Sequence, residues 1–227
     1  MAKQTPINEE LIVDVQEVYS KTETFIDDNK SIITLVVGGL IVLIAGYFAY
    51  NSFYLAPLED EAKDEMFMAE KYFRLDSFNL AIDGRADFAG FIEIADNYSS
   101  TKAGDLANYY LGMSFLNIGQ FENAIDALNN FNGDDAMLAT LAIGAKGDAL
   151  LELENTKKAI DQYTKAANRN ENEFTTPLFL MKAARAMEMV GDYEGAADNY
   201  KKIKAEYKTS PEGSDIEKFI ARAETKL

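Results

Sequence analysis

The sequence contains no cysteine and no histidine. The commonest general base, the commonest nitrogen ligand for metal ions and the thiol nucleophile are therefore all absent. No glycine-rich loop with the spacing of a phosphate-binding motif occurs. The carboxylate pairs Asp27-Asp28 and Asp134-Asp135 are adjacent in sequence, and we expect them to be solvated. We therefore expect a protein that is not an enzyme and that holds no cofactor and no metal ion.

Basic side chains are scarce. There are 22 Lys and Arg residues against 38 Asp and Glu residues, which gives a formal net charge of −16. A surface of this sign repels nucleic acid, so a role in binding DNA or RNA is excluded. Solubility is the simplest explanation of the charge, and a preference for basic partners is the alternative.

One long apolar run dominates the N-terminal part of the chain. Residues 32–50 carry no charge, and as a helix they span roughly 28 Å, close to the hydrocarbon thickness of a bilayer. A buried core helix of this length would normally show a polar stripe. A cleaved signal peptide is not expected, because bulky Tyr47, Phe48 and Tyr50 end the run where small residues are needed. The sequence predicts a transmembrane helix over residues 32–54, and without cysteine there is no lipid-attachment site.

The distribution of lysines predicts the orientation of that helix. Lys21 and Lys30 precede the run, whereas the first basic residue after it, Lys63, lies among acids. This bias favours an internal N-terminus. In a bacterium, the larger domain would then be periplasmic, an oxidising compartment that the absence of cysteine suits. Three tyrosines would form an aromatic belt at the outer interface: Tyr47, Tyr50 and Tyr54.

The arm before the run, residues 1–31, is predicted to contain an amphipathic helix over residues 9–28. Its apolar face consists of Leu11, Val15, Val18, Tyr19, Phe25 and Ile26. The opposite face is acidic, so anionic lipid would oppose binding to the membrane surface. We expect this face to dock on a membrane-protein partner, and an idle juxtamembrane helix is the alternative.

Small residues cluster on one side of the predicted transmembrane helix. They allow another helix to approach closely, which drives association within a membrane. This predicted packing face consists of Gly38, Val42, Ala45, Gly46 and Ala49. Ordinary glycine usage in a membrane helix is the alternative.

The remainder of the chain repeats one helical unit. Residues 111–128, 146–163 and 183–200 each contain a small residue, a turn, an alanine and then an apolar or aromatic residue four positions on. The small residues are Gly112, Gly147 and Ala184, and the turns are at Gly119, Glu154 and Gly191. The alanines are Ala124, Ala159 and Ala196, and the larger residues are Leu128, Tyr163 and Tyr200. The period is close to the ~34 residues of tetratricopeptide repeats.

These patterns predict an all-α protein, in which one N-terminal transmembrane helix precedes a tetratricopeptide-repeat α-solenoid over residues 55–227. The predicted segments are an irregular first unit at 58–100, repeats at about 103–132, 134–169 and 174–207, and a cap helix at 214–226.

Solenoids of this kind bind partners along their first helices. The tetratricopeptide groove pattern selects positions in each predicted repeat, many of them apolar, including methionines that suit adaptable contacts. In the first repeat they are Tyr109, Met113, Leu116 and Asn117; in the second, Gly144, Asp148, Leu151 and Glu152; in the third, Met181, Arg185, Glu188 and Met189. The alternative is that the cap helix or the irregular unit covers them.

The order of arm, membrane helix and repeat domain, together with two stretches of the sequence, resembles a known protein family. FIDDNKS at residues 25–31 and GDALLELENTKKAIDQYTKAA at residues 147–167 are similar to the YfgM family, ancillary subunits of the bacterial Sec translocon. The resemblance implies association with the SecYEG channel and with PpiD, a membrane-anchored periplasmic chaperone of the prolyl-isomerase type. It also implies a role beside newly translocated chains.

Our hypothesis from the sequence is a single-pass inner-membrane protein whose periplasmic solenoid binds a chaperone partner or emerging chains at the translocon. Tethering would act by raising the local concentration of the bound partner. The alternatives are a scaffold of another envelope or secretion complex, a regulator whose arm senses a cytoplasmic factor, and an organelle-surface adaptor.

Overall fold

The computed structural model describes residues 15–227, with side chains from residue 19 onward, and is almost entirely helical. The described chain forms two compact units that divide between Tyr54 and Leu55.

The first unit contains helices α1 (Val15–Asp28) and α2 (Lys30–Tyr50) and all but the last residue of a π-helical turn, Asn51–Leu55. No residue of α2 is buried, and Leu35 and Leu43 are more than two-thirds exposed. A core helix in a water-soluble domain would bury such side chains. In the described part of the chain, this is the one helix long and apolar enough to cross a membrane.

The second unit contains ten helices and one short strand pair within residues 55–227. The helices are α3 (Ala56–Arg74), α4 (Phe78–Asp83), α5 (Phe91–Asn97), α6 (Lys102–Asn117), α7 (Phe121–Asn130), α8 (Ala136–Glu152), α9 (Thr156–Arg169), α10 (Thr175–Met189), α11 (Tyr193–Glu206) and α12 (Ile216–Glu224). Eight of these helices pair as four antiparallel hairpins. We name α3–α4 hairpin 1, α6–α7 hairpin 2, α8–α9 hairpin 3 and α10–α11 hairpin 4.

The same turn closes all four hairpins. Its central residue has a left-handed backbone, with φ values of 53° at Asp76, 76° at Gly119, 61° at Glu154 and 82° at Gly191. In hairpin 3, the amide of the next residue, Asn155, donates to the carbonyl five residues earlier at 2.9 Å. The other three hairpins repeat this bond, which ends a helix in a Schellman motif.

Close packing of the two helices in a hairpin requires the predicted small residues. A Cβ added to Gly112 would lie 2.5 Å from Leu128 Cγ, and one added to Gly147 would lie 2.6 Å from Tyr163 Cε1. Ala184 of hairpin 4 is fully buried. The predicted pairing of a small residue with a larger one is therefore confirmed in hairpins 2 and 3.

Hairpin 1 is more regular than the sequence predicted. Ala69 and Ala81 lie seven residues before and five after Asp76, the positions that Gly147 and Ala159 hold around Glu154, and both are fully buried. Its second helix, α4, stops at Asp83.

A two-stranded antiparallel pair that the sequence did not predict follows hairpin 1. Strand β1 (Gly84–Arg85) pairs with β2 (Phe88–Ala89), so that Gly84 faces Ala89. Gly84 has a φ of 68° and its backbone approaches Gly90, and a Cβ on Gly84 would lie 2.3 Å from the Gly90 nitrogen. Glycine is therefore required where the chain leaves α4.

Helix α12 caps the second unit. Ile216, Ile220 and Ala223 are buried in the same cluster as Tyr200 of hairpin 4. The helix begins at Ile216, two residues later than predicted, because Asp215 has a left-handed backbone with φ of 58°.

Candidate partner-binding surface

The predicted groove positions of hairpin 2 contribute mainly to packing. Tyr109 is buried, and Met113 and Leu116 are half-buried against the same apolar cluster. Burial raises the pKa of Tyr109 above its usual value. Asn117 is exposed, and its side-chain amide donates to the carbonyl of Met113 at 2.8 Å.

In hairpin 3, the predicted groove residue Asp148 connects two hairpins. Its carboxylate accepts hydrogen bonds from Lys182 Nζ of hairpin 4 at 2.7 and 2.8 Å, and from the hydroxyl of Tyr163 at 2.7 Å. The Asp148 and Lys182 side chains are each about one-third exposed. Burial, followed by the charge of Asp148, raises the pKa of Tyr163. The cluster holds hairpin 3 against hairpin 4.

The other predicted positions of hairpin 3 differ in exposure. Gly144 is buried, and a Cβ there would lie 1.9 Å from the ring of Phe179. Leu151 is half-buried and Glu152 is exposed. Gly144 therefore serves close packing with hairpin 4, and Glu152 is the residue most open to a partner.

In hairpin 4, the capping helix contacts part of the predicted groove. Arg222 of α12 donates through Nε to Glu188 Oε1 at 3.1 Å and forms an ion pair with it. The guanidinium of Arg185 lies 5.4 Å from the centre of the Phe219 ring, also in α12. Met181 is buried, whereas Met189 is 67% exposed. The cap helix therefore covers much of the Glu188 side chain, whereas Arg185 stays exposed beside Phe219.

An apolar cleft lies beside these positions and was missed in the sequence. It has a volume of about 690 Å³. Its walls are the start of α8, the start of α10 with the preceding loop, and the turn before α12. Its apolar lining consists of Met137, Leu141, Phe174, Leu178 and Pro211, and its acidic residues are Glu173 and Glu212. We call this the apolar cleft.

Two leucines at equivalent positions of successive repeats indicate part of the apolar cleft. Leu141 and Leu178 each precede a predicted groove position, Gly144 or Met181, by three residues. They therefore lie one helical turn earlier on the same helix face. Phe174 stands alone as an aromatic residue in the polar loop NENEF.

A second, more polar cleft lies between the starts of α6 and α8 and has a volume of about 530 Å³. Asp105 on its wall accepts a hydrogen bond from the backbone amide of Asn132 at 2.7 Å. Burial raises the pKa of Asp105, and the negative charge of nearby Asp134 raises it further. The hydrogen bond from Asn132 opposes this shift.

A tetratricopeptide repeat family model matches residues 106–133 and 179–210. These segments cover hairpin 2 and hairpin 4. The chain contains tetratricopeptide repeats. No curated protein matches the chain.

Hairpin 3 has the tetratricopeptide turn geometry but lies outside the two matched segments. Glu154 stands in its turn where the matched hairpins have Gly119 and Gly191. Tetratricopeptide repeats are generally non-catalytic scaffolds for protein–protein interaction. Within residues 15–227, no group of three or more His, Cys, Asp or Glu side chains is arranged to hold a metal ion.

The arm and the membrane packing face lie in the first unit. Tyr19, Phe25 and Ile26 of α1 are exposed, whereas Leu11 and the side chains of Val15 and Val18 lie outside the described residues. On α2, a Cβ added to Gly38 or Gly46 would meet nothing within 4 Å. The remaining members of that face, Val42, Ala45 and Ala49, are exposed as well.

Proposed function

We propose that this chain is a non-enzymatic, single-pass inner-membrane protein and an ancillary subunit of the Sec translocon. Its repeat domain, residues 55–227, lies in the periplasm in this proposal. There it binds a PpiD-like membrane-anchored chaperone, emerging chains, or both, beside the SecYEG channel.

The exposed apolar helix α2 carries the proposal. None of its residues is buried by protein, and exposure of so many apolar side chains to water would be costly at about 25 cal/mol per Å². A lipid environment removes that cost. Lys21 and Lys30 precede the helix, and acids surround Lys63 after it, which supports a cytoplasmic N-terminus.

Two features support a role as a docking platform. The repeats provide a surface for protein partners, and the exposed stripe of Tyr19, Phe25 and Ile26 on α1 offers a second apolar surface. With one contact in the arm or membrane and another in the repeat domain, tethering makes the second binding event intramolecular. The resemblance to the YfgM family supports SecYEG and a PpiD-like chaperone as the partners.

Affinity purification of the tagged full chain from crosslinked membranes in mild detergent tests the proposal. We expect channel subunits and a membrane-anchored chaperone to be recovered. A matched control replaces residues 32–50 with an unrelated apolar helix of equal length, which keeps the anchor and removes the Gly38 and Gly46 face. Recovery of a different envelope assembly, with no channel subunit, would contradict the proposal and favour the alternative scaffold.

A further inference from the structure

The apolar cleft exposes large apolar side chains that are not buried in the core of the fold. Phe174 is 78% exposed and Met137 is 47% exposed, although both line a concave space of about 690 Å³. This volume falls within the range of about 300–1,000 Å³ that is typical of ligand-binding clefts. An aromatic side chain at the mouth of an apolar cleft is the kind of residue that anchors protein interfaces.

Hydrogen bonds hold the wall that carries Phe174. Asn172 Oδ1 accepts from the backbone amides of Phe174 and Thr175, each at 2.8 Å, and Asn172 Nδ2 donates to Thr175 Oγ1 at 2.7 Å. The backbone amide of Asn172 donates in turn to Thr176 Oγ1 at 3.0 Å. The backbone that presents the Phe174 ring is therefore fixed before any partner arrives.

The opposite wall is also fixed. Ser210 Oγ accepts a hydrogen bond from the amide of Gly213 at 3.0 Å, and the amide of Ser210 donates to the carbonyl of Tyr207 at 3.0 Å. Both walls are therefore preorganised, which reduces the ordering cost of binding.

The charge of the apolar cleft selects for a basic partner. Its lining includes the carboxylates of Glu173 and Glu212, and none of its lining residues in the described structure is Lys or Arg. Within residues 15–227, neither Glu173 nor Glu212 forms an ion pair. A second copy of this chain is a poor occupant, because each copy carries a net charge of −16.

We propose that the apolar cleft binds an extended segment of a partner polypeptide, in which apolar side chains alternate with Lys or Arg. The apolar side chains contact Phe174, Met137 and Leu178, and the basic ones face Glu173 and Glu212. The proposal rests on the proposed role of the repeat domain in binding protein partners, but not on the identity of the complex.

Fluorescence anisotropy with the full chain in nanodiscs of uncharged lipid tests the proposal. The probe is a labelled short peptide of alternating Leu and Lys, compared with Leu–Glu and Ser–Lys peptides of the same length. We expect saturable binding of the Leu–Lys peptide, with at least tenfold weaker binding of both others. Equal binding of the Leu–Lys and Ser–Lys peptides would show non-specific charge attraction and overturn the proposal. Empty nanodiscs control for binding to lipid.

Exposed positions allow matched variants that spare the fold. Phe174→Ser should weaken binding about tenfold, as expected for an interface anchor. Phe67→Ser, at another exposed phenylalanine, in α3 (62% exposed), should leave binding unchanged. Glu173→Lys should weaken binding of the Leu–Lys peptide several-fold and strengthen that of the Leu–Glu peptide. Asp161→Lys, on the exposed face of α9, is the charge control.

Three outcomes would overturn this inference, and the second of them leaves the proposed function standing. If Phe174→Ser and Phe67→Ser bind the peptide equally well, the apolar cleft is not the site. If no peptide binds while channel subunits still co-purify with the chain, the inference fails and the proposed function stands. Concentration-dependent self-association that Phe174→Ser abolishes would identify a second copy as the occupant and overturn the proposal.

Discussion

Glu154 holds the left-handed turn position of hairpin 3, with φ of 61°, where hairpins 2 and 4 use glycine. A side chain in this conformation costs roughly 1–2 kcal/mol, whereas glycine adopts it freely at a smaller entropic cost. Glu154 is exposed, so its replacement removes no buried contact.

We therefore expect Glu154→Gly to raise the free energy of unfolding by about 0.5–1 kcal/mol. The measurement is urea unfolding of the full chain in detergent, followed by near-UV circular dichroism. The reverse substitution in hairpin 4, Gly191→Glu, should lower the free energy of unfolding by about 1 kcal/mol. A destabilising effect of Glu154→Gly would mean that the Glu154 side chain contributes a stabilising interaction.

Tyr163 makes stability sensitive to alkaline pH. Its pKa is raised by burial and by Asp148, so the folded protein keeps a proton that the unfolded chain loses near pH 10. Stability from this group is present below pH 10 and is lost as the pH rises further, with a slope of about 1.4 kcal/mol per pH unit.

Tyr163→Phe should reduce that slope above pH 10. At pH 7, the same variant should cost about 1 kcal/mol, because one hydrogen bond to Asp148 is lost while the pair with Lys182 remains. Urea unfolding at pH 7 measures the loss of the hydrogen bond, and urea unfolding above pH 10 measures the change in slope. If Tyr163→Phe left the slope of stability against pH unchanged above pH 10, Tyr163 would not be the group responsible for that slope.

At the scale of the element, α12 closes the hairpin stack. Ile220 is 7% exposed and shares a cluster with Tyr200 and Ile203 of α11. Ile220→Ala should lower the free energy of unfolding by about 2–4 kcal/mol, because apolar burial is lost and a cavity remains. The control Ala221→Ser, at an exposed neighbour, should stay within about 0.5 kcal/mol. Equal stability of both variants in urea would mean that α12 is not a structural cap.

The sequence predicted those elements in which one local pattern decides the structure. Spacing of a small residue, a turn, an alanine and a larger residue predicted hairpins 2, 3 and 4, and contacts such as Gly147 with Tyr163 confirm the packing. The link between Asp148 and Lys182, 34 residues apart, was open to prediction, because one repeat period separates them.

Other elements were missed for physical reasons. Hairpin 1 was predicted only as an irregular unit, because α4 ends at Asp83, before a larger residue could pair with Ala69. The apolar cleft forms from three segments distant in sequence, around Met137, Phe174 and Pro211. Spacing along one helix does not predict how loops from separate hairpins converge.

The whole molecule should cross the membrane in one fixed orientation. Protease added to spheroplasts should digest residues 55–227 and spare an epitope on the cytoplasmic arm. Permeabilised membranes, in which both sides are accessible, provide the control. Protection of the repeat domain in intact spheroplasts would reverse the orientation inferred from Lys21 and Lys30.

The central claim is that an anchored stack of helical hairpins acts at the translocon by binding. Site-specific photo-crosslinking in intact membranes tests it most directly, with the probe at Phe174 and, as a matched exposed position, at Phe67. We expect the probe at Phe174 to form adducts with a membrane-anchored chaperone or with newly translocated chains. We also expect channel subunits in the same purified complexes. Adducts confined to another envelope assembly, or a chain recovered in the aqueous extract with residues 32–50 intact, would contradict it.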